Sequence, residues 1–176
     1  MTSLPVIRTF TIFVLLVASA GAARADASLR LEGIPGEVTT KTHAHWIAVT
    51  SVNYAASVPE STTTRASGRP HFEPITIEKP LDTSSPKLVE ALAKGSRIAS
   101  ATIDFTRNGS RGEVVYYRIE LTNVVITGYS LNAPAGSTPT ENVKLGYAAI
   151  KVSVWSVDPR TGAAGAKVEF QYDTTR

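Results

Sequence analysis

Runs in which apolar and polar side chains alternate dominate this sequence after residue 25. The clearest lie at 75–79, 102–106, 115–122 and 167–173, with Gly, Pro, Asn and Ser clusters between the runs. Because successive side chains on a β-strand point to opposite faces, each run predicts a strand with one buried face. About seven strands are expected, without a regular alternation of strands and helices. This pattern is typical of a β-barrel or a β-sandwich.

Two of the runs change phase partway. Apolar residues occupy odd positions at 117–121 but even positions at 124 and 126. A similar change separates 143–147 from 150–154. A side-chain period of two cannot change phase without an extra residue or a strand that is covered on both faces. Bulges are therefore predicted near Asn123 and near Ala148 and Ala149, where they would bend the strands enough to close a barrel.

One short helix is expected between residues 85 and 95. Ser85 is a suitable N-cap, Pro86 suits the first helical position, and Gly95 is a typical C-terminal stop. The buried stripe of this helix is expected to consist of Leu88, Val89, Leu92 and Ala93.

Three further features organise the chain. Residues 45–54 predict an early strand, and Asn108 followed by Gly109 predicts a hairpin turn. Residues 57–70 are rich in Ser, Thr, Pro and Gly and contain almost no large apolar side chain. They predict a long exposed loop, and loops of that length often carry function.

The first 25 residues have the pattern of a secretory signal peptide. Arg8 precedes a short apolar run at 10–18, and Ala23, Arg24 and Ala25 form a typical cleavage site. Residues 1–25 are therefore predicted to be removed, leaving a single exported domain at 26–176, periplasmic or secreted. That domain carries 16 basic and 15 acidic side chains. So small a net charge argues against nucleic-acid binding, and no later run is long enough to predict a membrane span.

Histidine spacing raises one possible catalytic or metal site. On a strand, His43 and His45 would point to the same side, and His71 could supply a third ligand. The alternative is that these rings lie in solvent or make ordinary hydrogen bonds. The chain has no cysteine, no serine in a Gly-x-Ser-x-Gly turn and no glycine-rich phosphate loop. The sequence therefore predicts no enzyme activity, no catalytic residue, no metal and no cofactor.

The aromatic residues offer a second possibility. A flat sugar-binding face on a β-sandwich could be built from Trp46, Tyr54, Trp155 and Tyr172. The alternative is that they belong partly to the core, as large aromatic side chains usually do.

Several segments together resemble one known family. The most specific is Lys-Pro-Leu-Asp-Thr-Ser-Ser-Pro-Lys-Leu at 79–88, followed by a short helix that ends at glycine. In order and spacing, this segment and several others resemble the haemolysin-coregulated protein (Hcp) family, the tube proteins of the type VI secretion system; the others lie at 31–37, 45–54, 121–130, 140–145 and 170–173.

The resemblance implies a small β-barrel of two packed antiparallel sheets with one short flanking helix. It further implies hexameric rings that stack into a tube inside a contractile sheath and carry effectors, with spike, sheath and effector proteins as partners. Residues 57–70 align with the extended loop that reaches toward the neighbouring ring in this family.

The sequence departs from the family in two places. Tube proteins of the family lack a signal peptide, and they more often carry aromatic residues where this chain has Val152 and Val154. The expected function is therefore a ring-forming component of a type VI tube or an exported paralogue of one. The alternative is an exported binding module for a carbohydrate or protein ligand that does not form a tube.

Overall fold

The computed structural model describes residues 26–59, 68–109 and 112–175. The predicted signal peptide at 1–25 lies outside these residues, as do 60–67 of the predicted long loop. The described residues form eleven strands and one helix: β1 (Asp26–Leu31), β2 (Ile47–Val49), β3 (Ser51–Asn53), β4 (Ala56–Ser57), β5 (His71–Phe72), β6 (Ile75–Pro80), α1 (Ser85–Lys94), β7 (Arg97–Gly109), β8 (Gly112–Asn132), β9 (Thr140–Gly146), β10 (Ala149–Val157) and β11 (Ala164–Asp173).

The main sheet closes into a barrel. Its strands follow the order β2-β1-β7-β8-β9-β6-β3, and all of these neighbours are antiparallel. Only Thr50 separates β2 from β3, and its backbone N–H donates to the carbonyl of Glu78 at 2.8 Å. The two ends of the strand order are therefore one continuous stretch of chain. A second small sheet pairs β4 with β5, so the predicted mainly β fold with antiparallel sheets and one helix is confirmed.

Strand β8 is 21 residues long and pairs with two different strands along one of its edges. Residues 117–122 pair with β10, and residues 125–132 pair with β9. Asn123 lies at the changeover with a φ of 51°, a left-handed conformation that asparagine tolerates better than most residues. The bulge predicted near Asn123 is absent from the pairing with β7, whose register stays unchanged there, so the phase change marks a change of partner instead. The bulge predicted near Ala148 and Ala149 is not seen either, because β9 ends at Gly146 and β10 begins at Ala149 as a separate strand.

Register shifts occur elsewhere on β8, at positions that the alternation of apolar and polar residues did not identify. One lies opposite the Phe105–Thr106 step of β7, and the other separates Ile126 from Gly128 in the pairing with β9. Such irregularities increase the local twist and bend of a sheet, which a closed barrel of few strands requires.

The interior is filled by aliphatic side chains from every wall of the barrel. Seven of the largest have no more than 1% of their surface exposed: Leu29, Ile47, Ile75, Ile103, Ile119, Leu121 and Leu145. Burying a side chain of this kind contributes roughly 1.5–3 kcal/mol relative to leaving it in water. The alternating runs are therefore the main source of stability.

Helix α1 caps one side of the barrel, with two differences from expectation. Ser84 rather than Ser85 is the N-cap residue, because the Ser85 side chain is turned into the protein interior. The buried residues are Ser85, Leu88 and Ala91, whereas Val89 is 41% exposed. Pro86 at the start and Gly95 at the end, the latter with φ 58°, lie where they were predicted.

The predicted strand at 45–54 begins later than expected. His43 and His45 lie in a hairpin-like segment at 36–46, in which the Val38 N–H donates to the carbonyl of Trp46 at 2.9 Å. We call this segment the strap. It begins at Gly36, where an added Cβ would lie 2.5 Å from the Trp46 carbonyl oxygen. Only glycine allows the two arms of the strap to approach so closely.

The two predicted turns have different outcomes. The predicted hairpin joins β7 and β8, but Asn108 and Gly109 lie in β7, paired with Glu113 and Gly112, rather than in the turn. The two ends of the predicted long loop at 57–70 are held together by the small sheet, in which Ala56 pairs with Phe72.

Candidate assembly surface

The hairpin of β10 and β11 extends the sheet beyond the barrel wall. Strand β10 pairs with β8, whereas β11 pairs only with β10 among the described residues. Every residue from 164 to 171 on β11 is exposed. A long edge with unpaired N–H and C=O groups is a template for pairing with another chain, and natural proteins normally cover it.

One face of this hairpin is apolar and uncovered. Val152 lies opposite Phe170 and Val154 opposite Val168, on the face that continues the barrel interior through Ile119. Val154, Val168 and Phe170 are 44%, 72% and 52% exposed, respectively. We call these three residues the apolar patch. Covering such a patch with a second surface is favourable because it removes apolar area from water.

The opposite face of the hairpin is charged and internally paired. Lys151 lies 3.8 Å from Glu120 on β8 and 3.5 Å from Glu169 on β11. Lys167 hydrogen-bonds to Glu169 and also lies 5.4 Å from the centre of the Trp155 ring. The Lys167 hydrogen bond, with the charge of Lys151, lowers the pKa of Glu169 below its ordinary value. The hairpin thus presents two faces of contrasting chemistry.

A buried polar cluster lies between the strap and the outer face of β7 and β8. His43 is 3% exposed, and its Nε2 lies 2.9 Å from Asp104 Oδ2. Its Nδ1 lies 3.3 Å from Glu113 Oε2. Arg118 donates to both oxygens of Asp104, at 2.5 and 2.6 Å. The edge of Trp46 packs on the imidazole, with the ring centres 4.5 Å apart.

The structure does not bring the three histidines together. His43 is buried against carboxylates, whereas His45 is exposed with a φ of 66°. His71 lies on β5, is 66% exposed and forms an ion pair with Glu73 at 3.1 Å. Within residues 26–59, 68–109 and 112–175, no group of three or more His, Asp or Glu side chains could hold a metal ion. Ordinary hydrogen bonding describes the geometry of His43.

The four aromatic residues considered as a sugar-binding face lie in different surroundings. Trp46 packs on His43 under the strap, and Trp155 packs beside Lys167 on the charged face of the hairpin. Tyr172 stacks on Phe72, with ring centres 4.6 Å apart, and Tyr54 packs against the core. In the part of the chain that the structure describes, no ring contact joins any two of the four.

A second buried cluster joins the start of α1 to the barrel wall. Lys79 on β6 and Glu141 on β9 have no exposed surface, and Lys79 Nζ lies 2.5 Å from Glu141 Oε2. Ser85 Oγ donates to the same carboxylate oxygen at 2.7 Å. Tyr129 on β8 donates to Glu141 Oε1 at 2.5 Å. Every oxygen of the buried carboxylate therefore has a donor, as burial of a charge requires.

This cluster explains physically why residues of the segment at 79–88 occur together. Lys79 also lies 2.9 Å from Asp82, whose backbone N–H donates to Ser85 Oγ at 3.1 Å. Lys79 and Ser85 thus contact the Glu141 carboxylate directly, and Asp82 contacts both Lys79 and Ser85. The arrangement fixes both the end of β6 and the first turn of α1.

The family assignment rests on residues 29–154. Over that range the chain matches the family model described as "Type VI secretion system effector, Hcp". The chain belongs to the Hcp family. No curated protein matches the sequence significantly.

Solved structures agree with the family assignment at the level of the fold. A structure described as a type six secretion system protein is 22% identical, has a TM-score of 0.80 and covers 86% of this chain and 97% of its own. Hcp1 from Salmonella typhimurium is 21% identical, with a TM-score of 0.71 and coverages of 86% and 95%. The secreted protein Hcp3 from Pseudomonas aeruginosa is 19% identical, with a TM-score of 0.61 and coverages of 87% and 100%.

Hcp proteins are structural tube proteins, and this chain is a structural Hcp-like protein of the type VI secretion class. The sequence reasoning that reached the family did not identify the two buried clusters. For Lys79 a signal was present, because it continues the buried face of Ile75 and Ile77. For Asp104 no such signal was present, because it lies on the polar side of β7 and is covered by His43 of the strap and by Arg118 of β8.

Proposed function

We propose that residues 26–176 assemble into a closed ring of six copies, as a component of a type VI tube or of an exported paralogue, and bind or carry secreted effectors. The apolar patch and the free edge of β11 are the observations that carry this proposal. A ring requires each copy to offer two different surfaces, one of which docks on the other in the neighbouring copy. The β10–β11 hairpin supplies one of them.

The energetics favour association through this hairpin. Val168 and Phe170 are each more than half exposed, on a strand that has no partner on its outer side among the described residues. Docking would bury these side chains, and pairing along the edge would satisfy main-chain groups of β11. An interface that closes by rotation leaves no such edge free, which prevents open-ended aggregation.

The test is the oligomeric state of the protein that begins at Asp26. Size-exclusion chromatography with light scattering, followed by native mass spectrometry, is expected to give a hexamer at micromolar concentration. A monomer throughout this range would contradict the ring. Electron microscopy of concentrated samples would then distinguish separate rings from stacked tubes.

We further propose that residues 1–25 are a signal peptide and that the protein is exported. The apolar run and the Ala-x-Ala sequence support this proposal. N-terminal sequencing of protein from separated cell fractions is expected to find a chain beginning near Asp26 outside the cytoplasm. Recovery of the intact N-terminus from the cytoplasm alone would contradict it. No helix of the described residues is long and apolar enough to cross a membrane.

The proposed role needs no catalysis, metal or cofactor. Spike, sheath and effector proteins of the secretion system are the proposed partners, and the family membership of the chain supports them. Co-purification from a strain with an intact secretion system, compared with a strain lacking its sheath, would test them.

A further inference from the structure

We propose that His43 is a proton-dependent latch that holds the strap, residues 36–46, against the outer face of β7 and β8. The inference is independent of the proposed ring, because every group involved lies within one copy of the chain. It predicts that the strap is held firmly when His43 is protonated and is released when the imidazole loses a proton.

Among the residues that the structure describes, few other contacts attach the strap to the barrel. Its backbone hydrogen bonds are internal: Gly36 and Val38 donate to the carbonyls of His45 and Trp46, and His45 donates to that of Val38. Hydrogen bonds within the strap do not attach it to the barrel. The attachments are side chains, with Glu37 accepting from the Thr83 N–H at 3.1 Å, and Thr42 and His43 reaching Glu113 and Asp104.

Both ring nitrogens of His43 face hydrogen-bond acceptors. Nε2 lies 2.9 Å from Asp104 Oδ2. Nδ1 lies 3.3 Å from Glu113 Oε2 and 3.0 Å from Thr42 Oγ1. The Thr42 hydroxyl donates its hydrogen bond to Glu113 and therefore faces His43 as an acceptor. A neutral imidazole has one N–H and would turn a lone pair toward an oxygen at one side. Only the imidazolium donates at both.

The charge balance of the cluster also favours a protonated His43. Asp104 on β7 and Glu113 on β8 face His43, Arg118 lies behind Asp104, and Thr106 on β7 donates to Glu113. Two carboxylates and one guanidinium leave one excess negative charge in a cluster where Asp104 is fully buried and Glu113 only 19% exposed, and a protonated His43 cancels that charge. Isolated buried charge is costly, so the protonated imidazole stabilises the closed strap.

The neighbouring groups keep their charges over the range in which histidine titrates. Burial raises the pKa of Glu113, but hydrogen bonds from Thr42 and Thr106 and the charge of His43 outweigh it and leave that pKa below its ordinary value. Hydrogen bonding to Asp104 raises the pKa of Arg118.

The test combines two measurements on the protein beginning at Asp26. Two-dimensional NMR of the imidazole nitrogens follows the protonation of His43 with pH. Hydrogen–deuterium exchange of the strap amides, divided by the intrinsic chemical rate at each pH, follows strap opening. Protection is expected to fall roughly tenfold to a hundredfold as His43 loses its proton, since hydrogen bonds to charged groups are the strong ones.

Two variants separate the latch from general effects of histidine loss. His43→Asn is expected to give low protection at every pH, without the titration. His45→Asn is the matched control, because His45 is exposed in the same segment and asparagine tolerates its positive φ. That variant should retain the pH dependence of the parent protein.

Several outcomes would overturn the latch. One is strap protection in the parent protein that does not change while His43 titrates. Another is an imidazole that stays neutral wherever the protein is folded. A third is the loss of the pH dependence in His45→Asn. The NMR titration needs no variant, so the proposal is decided even if His43→Asn does not fold.

Discussion

Lys79 and Glu141 form an ion pair with an N–O distance of 2.5 Å, and neither side chain reaches solvent. The pair joins β6 to β9, and through Ser85 it joins both strands to the start of α1. A buried pair of this kind seldom adds stability relative to well-packed apolar side chains, but removing one partner leaves an uncompensated charge. Its role is therefore to fix where the helix begins on the barrel wall.

Replacing one member of this pair should destabilise the protein strongly. Lys79→Met is expected to lower the free energy of unfolding by about 3–5 kcal/mol, because Glu141 would remain buried without its cation. The double variant Lys79→Met with Glu141→Leu should recover part of that loss. Urea unfolding at one fixed protein concentration measures both.

The control for this experiment is Lys94→Met, which removes an exposed ion pair with Glu90 on α1. It should leave the free energy of unfolding almost unchanged, since solvent screens such pairs. Equal losses in Lys79→Met and Lys94→Met would show that burial does not determine the importance of the Lys79 pair.

The apolar patch should control assembly rather than folding. Val154→Glu is expected to shift the oligomer to monomer in light scattering, because association would then bury an unpaired charge. Val89→Glu is the matched control, since Val89 is exposed to nearly the same extent, 41% against 44%, but lies on α1. Circular dichroism should show both variants folded. Full assembly of Val154→Glu would remove the hairpin from the proposed interface.

Gly36→Ala should distort the strap. The added Cβ would meet backbone atoms of Trp46 and Ile47 at 2.5–2.7 Å, and backbone cannot yield as a flexible side chain can. We expect a loss of about 1–3 kcal/mol, the usual effect of overpacking, measured by urea unfolding. Gly33→Ala provides the comparison, because Gly33 has open space around its missing Cβ and only a positive φ of 81°. A smaller loss in Gly36→Ala than in Gly33→Ala would contradict the steric explanation.

Alkaline pH should weaken the second buried cluster. Burial, followed by the hydrogen bond to Glu141, raises the pKa of Tyr129 from 10.0 to about 12. Because the folded pKa exceeds the unfolded one, the corresponding stability is complete below pH 10 and is lost as pH rises toward 12. Ultraviolet titration of the phenols, with urea unfolding at each pH, measures the effect.

Tyr129→Phe should remove one of the late-titrating phenols and reduce this alkaline loss. Tyr147→Phe is the comparison: burial raises that pKa to about 12 as well, but the Tyr147 hydroxyl donates to the Glu73 carbonyl rather than to a buried carboxylate. Tyr147→Phe should therefore destabilise the protein less than Tyr129→Phe does at neutral pH. An identical alkaline loss in the parent and in Tyr129→Phe would contradict the assignment.

Local pattern was sufficient to predict most strands. The alternation at 75–79 and 167–173 lies in β6 and β11. The phase change near Asn123 marks the point at which β8 changes partner, without the predicted bulge. The helix boundaries were also nearly correct, because Pro86 and Gly95 act through their own backbone preferences. The early strand was extended too far back, since the close packing of Gly36 on Trp46 folds residues 36–46 into the strap.

The sequence by itself determined a mainly antiparallel β-protein with one short helix, and the order of its motifs indicated the family. Only the tertiary structure decided which polar residues are buried and which apolar residues are left exposed. His43 and Asp104 are 61 positions apart, and Lys79 and Glu141 are 62. Periodicity reports which side of a strand a residue occupies, whereas burial depends on what a distant segment places over that side. For the same reason Val168 and Phe170, on the apolar side of β11, remain exposed in a single copy.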